Sequence, residues 1–146
     1  MKEVIQVGKH TVGYDEETGF IHLCHVGTMD GAEMTAVADR ISEYCRKYHP
    51  GEPAFELVDN RKSTGFTRDA RIALSNHPMA REEVYAAMWG ASFGVRTFIN
   101  LVFRALAVAT GSKSTAHATV TEAEASEWLI EKRNLYRSRK AKDKAA

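Results

Sequence analysis

The residues best placed to do chemistry cluster around one handover, where an apolar run, Val84–Trp89, gives way through Gly90 and Ala91 to Ser92, Phe93, Gly94 and Arg96. A helix start leaves backbone N–H groups free, so this group could hold an anion, with Arg96 adding charge; the plainer reading makes Ser92 a helix cap and Gly94 a close-packing position. A phosphate-binding loop proper needs a glycine-rich run ending in Lys-Ser/Thr, which the chain lacks. Further on, Arg96, Asn100 and Arg104 recur at four-residue steps within the apolar segment Val95–Ala109. That line suits the head group of an amphiphile beside a hydrophobic pocket. Alternatively it is the solvent face, or the surplus apolar side (Phe98, Leu101 and Phe103) is a dimer interface.

Other candidate groups are weaker. Asp59 closes a strand-like run, with Arg61, Asp69 and Arg71 close in sequence. Nothing pairs either carboxylate with a nucleophile or a second carboxylate of evident role, so no catalytic residue is expected and Asp59 is assigned to ordering its own loop. His22 and Cys24 share one side of a strand and His25 takes the other. Without CxxC or HExxH, no metal site and no cofactor are expected.

The elements that position these groups follow from periodicity. Val4–Val7 and His10–Tyr14 are short strands, DEETG (Asp15–Gly19) is a hairpin turn, and Phe20–Val26 is a strand apolar on both sides, hence internal. Thr28 or Asp30 opens an amphipathic helix to about Tyr48, with Met34, Val37, Ile41, Tyr44, Cys45 and Tyr48 facing the core; His49–Pro53 stops it. Ala54–Val58 is a strand ending at Asp59 and Asn60, followed by a loop, Arg61–Phe66, and a helix capped by Thr67 that ends at Asn76-His77-Pro78. After the strand Val84–Trp89, the helix Val95–Ala109 is apolar on two faces (Val95, Ile99, Val102, Leu106 and Ala109; Phe98, Leu101, Ala105 and Val108), which predicts burial on more than one side. Ala116–Val120 is a last strand. Thr121 with Glu124 is a capping box for a helix to about Arg137, in which Trp128, Leu129 and Leu135 pack. The order is β-β-β-α-β-α-β-α-β-α, an α/β chain whose mixed sheet is flanked by helices.

At 146 residues and a formal net charge of +1, the chain predicts one domain and excludes nucleic-acid binding by bulk charge. Residues 131–146 hold seven Lys/Arg against Glu131 and Asp143, a net of +5, which leaves about −4 on residues 1–130. The domain is expected over 1–137, with 138–146 a frayed, solubilising basic tail. No stretch is apolar enough to span a membrane and MKEVIQVGKH is no signal peptide, so a cytoplasmic location with Cys24 and Cys45 reduced is expected.

This order resembles the STAS superfamily, the anti-sigma-factor-antagonist-like domains. Closer still is its bacterial subgroup whose fold is compared with CRAL-TRIO domains. The resemblance rests on Phe55–Asp59 followed by a loop and Thr67–Arg71, and on Ala86–Ser92 followed by Val95–Ala107; it covers roughly residues 10–135. It implies a regulatory or ligand-binding module. Antagonist members carry a phosphorylated serine in an Asp-Ser-Ser-Gly motif. Here the nearest positions read Gly65-Phe66-Thr67-Arg68-Asp69, leaving Thr67, Ser63 and Thr64 as the hydroxyls for a phosphoacceptor role. The expectation is therefore a non-enzymatic bacterial module for protein interaction or signalling regulation, presenting Arg61–Thr67 and the start of the Ser92 helix to a protein partner or a second copy. The alternative is a binder of a small hydrophobic or amphiphilic, lipid-like ligand between the Val95–Ala109 helix and the sheet.

Overall fold

In the computed structural model, which describes residues 3–111 and 114–146, six strands form one mixed sheet in chain order. They are β1 (Glu3–Val7), β2 (His10–Asp15), β3 (Phe20–Met29), β4 (Ala54–Phe66), β5 (Val84–Trp89) and β6 (Thr115–Thr119). The pairs β1–β2 and β2–β3 are antiparallel; β3–β4, β4–β5 and β5–β6 are parallel. The helices are α1 (Gly31–Tyr48), α2 (Arg68–Asn76), α3 (Phe93–Thr110) and α4 (Glu122–Ala145), with a 3₁₀ turn at Pro78–Arg81.

Strand order dictates the layers. From β3 to β6 each parallel strand is laid down beside the last in one direction, so crossovers of one hand put their helices on one face. α1 and α2 cover that face with Met34, Val37, Ile41 and Ala70 against Val12, Ile21 and Val84. α3 packs Ile99, Val95 and Phe103 on Val58, Ala86 and Met88 of the same face. The opposite face is left to α4, which buries Ala125, Leu129 and Tyr136 on Phe20, Phe55, Leu57 and Tyr85.

Caps fix the helix starts where side-chain chemistry demands. Asp30 accepts from Glu33 N at 2.8 Å while Glu33 accepts from Asp30 N at 3.3 Å, a reciprocal capping box. Thr67 and Ser92 cap α2 and α3, and Gly111 ends α3 in the left-handed conformation at φ +66°. At α4, Thr121 caps as expected, but Glu124 reaches back to the amide of Val120 rather than of Thr121.

Four expectations are corrected. β4 does not stop at Asn60: Lys62–Phe66 pairs with Val26–Met29, so the expected Arg61–Phe66 loop is strand. Its lack of apolar alternation hid it, since pairing is supplied by β3 alone, beyond the last β5 partner at Trp89. α3 packs on one side only, because the sheet lies beneath it and no element covers its outer side among the described residues. The side chain of Leu106, expected on an inner face, lies outside the described residues. α4 continues through the supposed tail to Ala145, its Ala, Lys and Arg being good helix formers. Leu135, expected to pack, is exposed.

Candidate functional site

The start of α3 is built from Ser92, Phe93, Gly94 and Arg96. The Ser92 hydroxyl accepts from Val95 N at 3.4 Å, so it serves its own helix. Arg96 folds back, donating to the Ala91 carbonyl at 3.3 Å, with its guanidinium 5.9 Å from the Phe93 ring centre. Asn100 and Arg96 sit half-buried on one flank and Arg104 is exposed. The polar line is thus a flank, and the solvent side is led by apolar groups: Leu101 is 61% exposed, Val108 86% and Phe93 77%. The expected trio splits. Leu101 points outward, Phe103 packs inward, and Phe98 lies at the border, where the Arg71 guanidinium sits 5.7 Å from its ring.

The β3–β4 extension lies beside this helix start. Gly90 adopts φ +79°, and a Cβ there would sit 2.4 Å from Arg61 Cγ, so glycine permits the close approach. Arg61 thereby stacks 4.5 Å from the centre of Trp89 and grips Asp59 through two N–H donors at 2.8 and 3.1 Å. Burial pushes the Asp59 carboxyl up, but the Arg61 hydrogen bonds outweigh it and hold it below its ordinary range. Asp59 does order its own turn, accepting from Arg61 N at 3.0 Å. Asp69 lies elsewhere, its backbone against Gly31 of α1, so the two carboxylates do not converge. Of the three hydroxyls, Thr67 accepts from Ala70 N at 3.1 Å, Ser63 lies 2.8 Å from His25 Nδ1, and exposed Thr64 pairs with Thr28 at 2.7 Å.

His25 belongs to a buried polar row that the sequence reading missed. His10 Nδ1 accepts from Val26 N at 3.1 Å, and its Nε2 lies 2.6 Å from Glu33 Oε2. The rings of His10 and His25 are 5.0 Å apart, and His25 Nδ1 lies 3.3 Å from Asn60 Oδ1. Burial and then His10 depress His25 to about 4, so it is neutral at physiological pH. His22 and Cys24 lie on the other side of β3, as alternation predicts. Burial pushes the Cys45 thiol up to about 12, which leaves it unreactive.

Beside this row is a cavity of about 80 Å³ between the sheet, α1 and α3, bordered by His25, Asn60 and Glu56. Burial alone raises the Glu56 carboxyl to about 7. The only forewarning was a glutamate inside the apolar run AFELV (Ala54–Val58).

No protein-family model and no curated protein matches the chain. Among solved structures it is similar to an uncharacterised protein of the DUF3478 family, with a SpoIIAA-like fold, from Shewanella loihica PV-4. The TM-score is 0.54 at 11% identity, over 88% of this chain and 98% of that one. The likeness bears on fold alone, and it agrees with the STAS-like order expected from the sequence: a mixed sheet flanked by helices.

Proposed function

We propose that this SpoIIAA-like chain is a non-enzymatic regulatory module that works by protein interaction. Its contact surface is the outer side of α3 together with the neighbouring end of β4. The observation that carries this reading is the exposure of Leu101, Val108 and Phe93 on one helix, a concentration of bare apolar side chains typical of interaction sites. α3 holds Arg96 and Arg104 and no acid, and Arg71 of α2 joins them at Phe98. The complementary partner is an apolar surface with an acidic rim. A second copy packed through the same helix would bring like charges together, which disfavours a homodimer.

The test compares the natural chain with the pair Leu101→Asp and Val108→Asp. Both positions are on the surface, so stability is expected to change by less than about 0.5 kcal/mol per site. Capture of an acidic partner is expected to weaken by at least about tenfold. Unchanged capture would overturn the reading. So would flotation with anionic vesicles that the same pair abolishes, since lipid would then be what α3 meets.

A second reading, a small amphiphile held between α3 and the sheet, has one observation in its favour: Phe103 and Ala107 of α3 help to line the apolar cavity.

A further inference from the structure

Every internal methionine of the chain borders the same cavity: Met29, Met34, Met79 and Met88. Unbranched thioether side chains shift easily, so a cavity lined this way can adapt to a guest. Into this apolar space come three polar groups from one face of β3 and β4: His25, Glu56 and Asn60. All are more than nine-tenths buried. Glu56 Oε1, Asn60 Nδ2 and His25 Nε2 have no hydrogen-bond partner among the described residues. Orphaned polar atoms at this depth are costly, and three around one cavity call for partners that the described residues do not supply.

The arrangement separates two polar ends. Glu56 and Asn60 are four residues apart on β4, about 13 Å along an extended strand, with Val58 between them on the same face. The Asn60 end is already a network, with His25 and Ser63 bonded to each other. At the Glu56 end, Oε1 has no hydrogen-bond partner among the described residues, so a guest is read chiefly there.

We propose that this cavity is a binding site for a small neutral molecule with an apolar body and a hydroxyl head, the hydroxyl donating to Glu56 Oε1. This rests on the cavity reading of the site and is independent of the outer side of α3. The size follows from the volume: at roughly 10–15 Å³ for each water-sized position, the cavity takes about five to eight heavy atoms. The choice of head follows from cost. A hydroxyl pairs with a carboxyl in either protonation state, whereas an ammonium must surrender its hydration to an almost wholly apolar wall.

Phenol and benzene are suitable probes, being alike in shape and differing by the hydroxyl. With ¹³C-methyl-labelled methionine in the full chain, phenol is expected to shift the methyl signals of Met34, Met79 and Met88. It is also expected to bind about tenfold more tightly than benzene. In the Glu56→Met variant that preference disappears, and in Glu56→Gln, whose side-chain oxygen still accepts, most of it remains. The comparison of probes on the natural chain needs no variant, so it stands even if one fails to fold. If neither probe moves the methyl signals, the cavity is no ligand site and both the cavity reading and this proposal fall. If benzene binds as tightly as phenol, the cavity reading survives and the role of Glu56 is overturned. Tighter binding of benzylamine than of phenol overturns the neutral class.

Discussion

Replacing Glu56 with glutamine is expected to raise stability, relative to the natural chain, by about 3 kcal/mol more at pH 8 than at pH 4.5. Burial alone lifts the folded-state pKa of Glu56 from 4.5 to about 7. Between those values the folded chain holds a proton that the unfolded chain has released. Stability from this group is therefore full below 4.5 and is lost as pH rises through about 7. A tenfold difference in proton affinity between the folded and unfolded chain is worth about 1.4 kcal/mol, which sets the size of the effect. Glutamine does not titrate, so any constant cost of its amide cancels from the comparison between the two pH values. His25 works in the other direction, because burial and then His10 depress it from 6.5 to about 4. Its contribution is complete above 6.5 and is lost as pH falls toward 4. The two slopes oppose each other between 4.5 and 6.5, so the natural chain is expected to be nearly flat there. Glu56→Gln uncovers the His25 slope, and stability then climbs with pH. Urea unfolding of both proteins at intervals from pH 4.5 to 8 reads this directly. Parallel curves would mean that Glu56 is solvated or paired in the folded protein.

The Leu129→Ala variant is expected to cost about 2–5 kcal/mol, a large share of the stability of a domain this size. Leu129 is fully buried between α4 and the sheet, in a cluster with Phe20, Phe55, Tyr85 and Tyr136. Among the described residues α4 alone covers this side, so no second layer there closes the hole. Leu135, on the same helix, is 56% exposed, and Leu135→Ala is expected to stay within about 0.5 kcal/mol. Chemical denaturation of the two variants side by side is the check. Equal losses would mean that α4 packs in a different rotation.

The contrast between those two leucines shows where sequence reading ran out. Caps and glycine ends are local, and Asp30, Thr67, Ser92, Gly111 and Thr121 mark their helix ends as side-chain chemistry requires. β5 is a continuous apolar run and was legible to the residue. Which face of α4 or α3 is covered depends instead on the strands beneath. α3 is apolar over most of its surface, and spacing alone implied burial on several sides. Among the described residues the chain-ordered sheet leaves its outer side uncovered, so the same apolar excess forms the candidate surface. The polar row was hidden for another reason. His10, His25 and Asn60 are far apart in sequence and meet only because β2, β3 and β4 are neighbours in the sheet. His25 itself falls at the irregularity in the β3–β4 register between Cys24 and Val26. Only Glu56, a carboxylate inside an apolar strand, broke a local rule that could be read beforehand.

The central claim is that the outer side of α3 is where this protein meets an acidic protein partner. Site-specific photo-crosslinking in the native cell tests it most directly, with p-benzoylphenylalanine placed at position 101 on α3 or, as a control, at position 130 on α4, which is also exposed. The account predicts one dominant adduct from position 101, to a protein with an acidic contact surface, and none of that species from position 130. Adducts from 101 confined to a second copy of the chain or to lipid, or the same adducts from both positions, would contradict it.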